Sequence, residues 1–426
     1  MIAPACRQVA HDFGFSSEVL QSLLVSIFVL AFAIGPLFLG PLSEMYGRVR
    51  VIRLSNLFYL AWNIGCGFAQ NETQLLIFRF LAGLGGSAPL SVGAGVLSDV
   101  WEAEQRGQAM ALYSLAPMLG PVVAPVTGAW ISQKTTWRWV FWSTSIVDGV
   151  IFISGLIFLR ETYGPHILAR RALCLKKALA AKGKRERPIR TIYDSLERSW
   201  KMIIMKGLFR PFHLFFHEFI VQLLGAYMAF VYGVFYLYLA LIATIFEDTY
   251  GMSVGIAGLN YIAFGLGVTL ASQLNARNVD RIYVYLKRRN HGQGEPEFRL
   301  PSMVPGTIML PIGLLLTGWT AQYKVHWYGL FLVGAGMILN FQTIQMYVID
   351  AFTLYSASAL AAVSFLRALA GFGFPLFAPA MYNALGYGKG DTILAVAGIV
   401  IGCPAPWLFW HFGKRIRTSS RYAAAK

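Results

Sequence analysis

Long apolar runs separated by short polar breaks occupy most of this chain. A helix needs about 20 predominantly apolar residues to cross a bilayer. Eleven runs reach that length: 19–40, 51–70, 75–98, 109–132 and 137–159, then 216–243, 255–276, 302–322, 327–349, 357–385 and 393–412. The pattern predicts an all-α membrane protein with five spans, a polar linker and six more spans. Glycine and proline lie inside the runs, as bundled membrane helices tolerate.

Composition agrees. The 426 residues are 56% hydrophobic and 13% charged, whereas soluble domains carry about a quarter charged residues. Disorder is excluded by 31 Phe, 20 Tyr and 11 Trp, since disordered chains are poor in aromatics. A net charge of +16 invites a nucleic-acid reading until the charges are placed. With the Met1 side outside, 29 of the 36 Lys and Arg fall in inner loops, linker and tail, and five fall outside. That bias orients a membrane protein. It makes anionic inner-leaflet lipid the partner of the basic linker and leaves nucleic acid none. The location it implies is multi-pass in a membrane, taken as the plasma membrane.

The domain reading is a first bundle at 1–160, a linker at 161–211, a second bundle at 212–413 and a tail at 414–426. Within the linker, 167–181 and 191–206 can each form a basic amphipathic helix lying on the membrane surface. Cys6, Cys66, Cys174 and Cys403 are far apart, show neither metal nor disulfide spacing, and read as small hydrophobes in the core. Residues 1–9, with Pro4 and Arg7, are no cleavable signal peptide. No phosphate-binding loop, metal-ligand set or catalytic constellation recurs at workable spacing. The expectation is a monomer, not an enzyme, without metal or cofactor.

Between the first two runs stands Gly40-Pro41-Leu42-Ser43-Glu44-Met45-Tyr46-Gly47-Arg48-Val49-Arg50. Gly40 and Gly47 permit close helix approach and unusual dihedrals, and Glu44, Arg48 and Arg50 supply charge at the membrane face. This stretch resembles motif A of the major facilitator superfamily. Arg79 followed by Gly83, Gly85 and Gly86 resembles motif B. Pro117, Gly120, Pro121, Pro125 and Gly128 resemble motif C of the superfamily's antiporters, with Ala124 where a second glycine is expected. Segments such as Glu161-Thr162-Tyr163-Gly164-Pro165, Pro296-Glu297-Phe298-Arg299-Leu300-Pro301 and Tyr347-Val348-Ile349-Asp350-Ala351 look like the fungal drug:proton antiporters of the polyamine and multidrug branch. That resemblance implies two pseudo-symmetric six-helix bundles around a central cavity. It also implies a first helix ahead of residue 1, with residues 1–6 its stub and a lipid-facing groove in its place.

An ionisable group inside a membrane is expensive and marks function by default. Arg79, Asp148 and Glu218 are therefore the candidates for proton coupling, with snorkelling, helix–helix hydrogen bonding and helix capping as their structural alternatives. At the inner gate, Arg48 is expected to pair with Asp99, and Glu44 to face the start of the helix near residue 357. Tyr227, Tyr232 and Tyr236, with Asn260, Tyr261, Gln342, Gln345 and Arg367, are expected to line the cavity; aromatic faces and amides suit amphipathic organic cations. The function expected is proton-coupled export of small organic molecules. A truncated, inactive or sensor-like protein, or proton-coupled uptake, stands as the alternative.

Overall fold

The structure is a computed structural model that describes residues 2–101, 106–181, 200–325, 329–352 and 356–419. Its elements are α1 (Cys6–Phe13), α2 (Glu18–Tyr46), α3 (Arg48–Gly67), α4 (Glu72–Gly86), α5 (Ala88–Val100), α6 (Arg106–Lys134) and α7 (Arg138–Phe158). Then follow α8 (Gly164–Ala181), α9 (Trp200–His217), α10 (Phe219–Tyr250), α11 (Val254–Arg289), α12 (Val304–Gln322), α13 (Gly329–Ala351), α14 (Ser356–Gly402) and α15 (Pro404–Ser419). A 3₁₀ turn at Pro296–Met303 leads into α12. Among the described residues there is no strand.

Eight helical stretches are long and apolar enough to cross a membrane among the described residues. The last, Ser358–Thr418, contains a break at Gly386, whose φ of 77° ends one helix and starts the next. Two runs expected to span are helices outside the eight. One is α3, whose first turns carry Arg48, Arg50 and Arg53; the other is α6, where part of the side chains lies outside the described residues. The second expected linker helix, 191–206, also falls partly outside them. The run expected from 216 is broken at Glu218, which separates α9 from α10.

The candidate spans, of which α4 and α5 together make one, run between two ends of the bundle. One end, the linker face, carries Gly47, Asp99, Glu161, Arg299 and Arg417; the far face carries Arg7, Glu18, Lys134, Asp248 and Asp391. A large core unites α10 to α14 around Tyr227, Tyr238, Tyr261, Phe264, Tyr347 and Phe352. A smaller one joins α1, α2, α3, α4 and α7 through Val9, Leu24, Cys66, Leu75 and Phe141. Of the most apolar stretch of each helix, 72% is buried in α10 but only 17% in α7. Ile146, Val150, Ile153 and Ile157 thus form an exposed stripe along α7, suited to acyl chains. Cys403 and Cys174 are exposed, against the expectation of four core cysteines; Cys403 stands at the break between α14 and α15, with its thiol donating to Thr307 O at 3.6 Å.

The halves meet where α2 packs on α14 and α6 on α11. Lipid is as apolar as leucine, so close backbone approach rather than hydrophobic collapse holds such seams. A methyl group on Gly258 would lie 2.5 Å from the Ala129 Cβ, and one on Gly265 would overlap Val122.

Candidate functional site: charged clasps and the seam between the halves

Arg48 begins α3 directly after Gly47, whose φ of 96° and ψ of 149° favour glycine. Its Nη1 donates to Ser43 Oγ at 2.8 Å and its Nε to Asp99 Oδ2 at 3.2 Å. The guanidinium lies over the Tyr163 ring, 4.9 Å from its centroid. The second carboxylate of this clasp is Glu161, to which sequence reading gave no role. It accepts the backbone N–H of Arg48 (2.9 Å), Val49 (3.3 Å), Thr162 (3.2 Å) and Tyr163 (3.1 Å). An anion there satisfies otherwise orphaned donors at the start of α3 and suits the helix dipole. Glu44, expected in this network, is exposed and has no ion pair or hydrogen bond among the described residues. It lies on the last turn of α2, and the side chains at 356 and 357, at the start of α14 that it was expected to face, lie outside the described residues. Gly40 also departs from expectation: nothing lies within 4 Å of a Cβ built on it. Arg50 is exposed.

A matching clasp closes the second half. Arg299 Nε donates to Asp350 Oδ2 at 3.0 Å, its Nη1 to Asp280 Oδ1 at 2.6 Å, and its guanidinium lies 4.4 Å from the Tyr283 ring centre. Arg48 and Asp99 are 51 residues apart in the chain, and so are Arg299 and Asp350. That shared interval was the signal available in the sequence. Nearby, the buried Glu297 accepts two hydrogen bonds from Arg417, at 3.2 and 3.4 Å.

On the far face, ion pairs join the halves. Arg7 of α1 pairs with Glu247 at 3.3 Å and with Asp248, both at the end of α10. The hydrogen bond that Arg7 donates to Asp248 holds its guanidinium above the usual range. Asn383 of α14 donates to Glu18 at 2.7 Å, and Gln133 of α6 accepts the Gly255 N–H at 2.8 Å. Among the described residues no ion pair crosses between the halves on the linker face.

Between the halves, Val29 and Ala33 of α2 meet Tyr232, Tyr236, Phe365 and Ala368. Arg367 lies over Tyr232 (4.8 Å) and Phe341 (5.0 Å). Its Nε is buried without an acceptor among the described residues. Gln345 follows Phe341 by one turn of α13 and is half-buried. The other expected lining residues belong elsewhere. Tyr261 is fully buried inside the second half and donates to Leu239 O at 2.7 Å. Tyr227 is packed there against Gly402. Asn260 bonds back to Ala257 O of its own helix at 3.1 Å. Gln342 is engaged with Ser272 (2.7 Å) and Asn275 (3.0 Å). Tyr261 and Gln342 thus face helix–helix packing that already satisfies their polar groups.

Residues 1–375 match the family described as the Major Facilitator Superfamily. The chain belongs to that superfamily. Efflux pump vrtL of Penicillium aethiopicum is 44% identical to it over 428 residues, covering 100% of this chain and 84% of the pump. MFS-type transporter penM of Penicillium rubens is 41% identical over 99% of this chain and 82% of its own. In three dimensions the chain resembles the xylose transporter XylE from E. coli in a partially occluded inward open conformation. The TM-score is 0.67 at 14% identity, with 96% and 94% of the two chains covered.

In this superfamily member the intramembrane charges are dispersed rather than gathered. Arg79 donates to the Leu24 carbonyl of α2, with Phe28 and Phe141 around its guanidinium. Asp148 sits on the seam of α7 with α3, where the Asn56 amide, its nitrogen turned to the carboxylate, donates at 3.0 and 3.2 Å. Glu218 occupies the N-cap position of α10, buried, and its side chain does not cap the helix. A fourth group, Asp391, was missed. It is buried in the second half, accepting from Tyr238 at 2.8 Å and Tyr382 at 2.5 Å. Of the motif C residues, Pro125 is buried near the α11 seam, with its carbonyl 3.8 Å from a Cβ built on Gly258. Gly128 and Ala129 are also buried, while Pro121 is half-buried and Gly120 exposed. The Pro117 side chain lies outside the described residues.

Proposed function

We propose that this protein is a monomeric secondary transporter of the plasma membrane that exports small organic molecules in exchange for protons, by alternating access. The observation that carries the reading is the asymmetry of its ion pairs. On the far face the Arg7 pairs join the halves while Arg138–Asp12 stays within the first, whereas among the described residues each linker-face clasp stays within its half. Such an arrangement closes one mouth and leaves the other free to part. Protonation and substrate each bias the exchange between the two states, because each binds one state better. Relatives named as efflux pumps support the outward direction. Asp148 and Glu218 are the acids proposed to carry the proton, with Arg79 beside the first bundle's core as their electrostatic counterweight.

The linker face meets anionic lipid on this reading. A cavity of about 860 Å³ there is lined by Arg50, Arg53, Arg160, Arg170, Arg171 and His166, a composition suited to phosphate head groups. The test of the function is transport in proteoliposomes. An imposed pH gradient should drive fluorescent substrate against its concentration, and nigericin should abolish it. Transport that ignores the gradient would end the proton-exchange reading.

A further inference from the structure

On the alternating-access reading the substrate chamber lies where α2 meets α10 and α14, and among the described residues a fixed positive charge there has no ion-pair partner. Arg367 projects from the middle of α14, next to Ala368, which touches Val29 and Ala33 of the opposite half. Two aromatic faces flank its guanidinium, and its buried Nε finds no acceptor among the described residues. None of the described ion pairs involves it. The acids within or at the ends of the helices are occupied or distant. Asp148 is held by Asn56 on the α3–α7 seam, and α7 packs on α3 and α6 rather than on the second half. Asp391 is held by Tyr238 and Tyr382 inside the second half. Glu218 stands at the linker-side start of α10.

A lone guanidinium in a membrane interior is expensive. A cation entering the chamber would add like charge beside it, whereas an anion would neutralise it. The planar fork of arginine matches a carboxylate through two parallel hydrogen bonds, and Tyr232, Tyr236, Phe341 and Phe365 offer ring faces for stacking.

We propose that Arg367 is the specificity-determining residue of the chamber and that it selects planar aromatic molecules bearing a carboxylate or similar anion, not organic cations. This rests on the reading of the chain as an exporter of small molecules, but its test needs no gradient.

The experiment is equilibrium binding to the full chain purified in detergent, followed by fluorescence polarisation. Fluorescein serves as the aromatic carboxylate and rhodamine 6G as the aromatic cation. Fluorescein should bind more tightly than rhodamine 6G. Arg367→Gln should weaken fluorescein on the order of tenfold to a hundredfold, the scale of a lost charge-assisted hydrogen bond, without weakening rhodamine 6G. Arg367→Lys, which keeps the charge and loses the fork, should fall between, and it preserves the test should the Gln variant fold poorly. Tighter binding of rhodamine 6G by the unaltered chain, binding of neither probe, or equal losses for both in the variants would overturn the proposal. If proton-driven transport fails while the fluorescein result holds, only the exchange mechanism falls.

Discussion

The two halves hold their linker-side turns with the same pair of residue types, yet they do it differently. In the first half, Arg48 reaches one aspartate, while Glu161 binds backbone at the start of α3. In the second half, Arg299 is gripped by two aspartates, and no glycine with positive φ is needed in the 3₁₀ turn that carries it. The first clasp therefore depends on backbone geometry and the second on charge. The surroundings differ in the same sense. The second half encloses a continuous aromatic core, while α7 of the first keeps much of its apolar surface outward. The loosely packed half holds its turn through backbone conformation and backbone hydrogen bonds, while the densely packed one holds its turn by side chains.

Gly47→Ala should expose that dependence most strongly. The backbone there is nearly glycine-only, and a Cβ would lie 2.4 Å from Glu161 Oε2. Strain and loss of the cap together should remove about 3 kcal/mol, read as a fall in thermal midpoint in detergent. Gly40→Ala, in open space within α2, should instead be neutral or stabilising by up to about 1 kcal/mol. Equal losses at both positions would break the account of the first clasp.

The second effect is smaller. Arg299→Gln leaves Asp280 and Asp350 facing each other without a cation. Because Asp280 is 73% exposed, the loss should be about 2 kcal/mol rather than that of a fully buried pair. Arg48→Gln should cost about 1 kcal/mol, since Glu161 keeps its backbone donors. Double-mutant cycles with Asp350→Asn and Asp99→Asn measure the two couplings on one scale. A larger coupling for Arg48–Asp99 would reverse the comparison.

How much of this could be read from the chain depends on distance along it. The spans were legible because apolar runs of sufficient length are a local property. Gly47 and Arg48 were legible because a turn between two runs is local too. Glu161 was not: its partner Arg48 is 113 residues upstream, and a carboxylate that binds backbone has no fixed partner residue type. Asp391 was hidden in the short break between runs ending at 385 and beginning at 393. There it read as loop, while the fold buries it against tyrosines from α10 and α14. Tyr227 and Tyr261 failed as lining residues because spacing marks a helix face without saying which neighbour the face meets. For Tyr232 the deciding fact is contact with α2 of the other half.

The smallest energetic effect belongs to the bridge across the far face. Arg7 is 44% exposed in its pairs with Glu247 and Asp248, so water and salt screen it. Arg7→Gln should lower overall stability by less than about 1 kcal/mol, and raising the ionic strength should reproduce the change. Its consequence for the conformational balance is larger than that number suggests. The clasps join groups of one half and need not break when the halves move apart, whereas the bridge joins the two halves and must break for the far face to open. Near balance, about 1 kcal/mol shifts the ratio of the two states roughly fivefold. Spin labels on Lys134→Cys and Lys324→Cys, with the four native cysteines replaced by serine, report the far-face separation by electron–electron resonance. Arg7→Gln should move population toward the longer distance, while Arg48→Gln should move it less. An unchanged distribution in Arg7→Gln would mean that the α6–α11 and α2–α14 seams alone close the far face, and that the contrast between clasps within halves and a bridge between them has no conformational meaning.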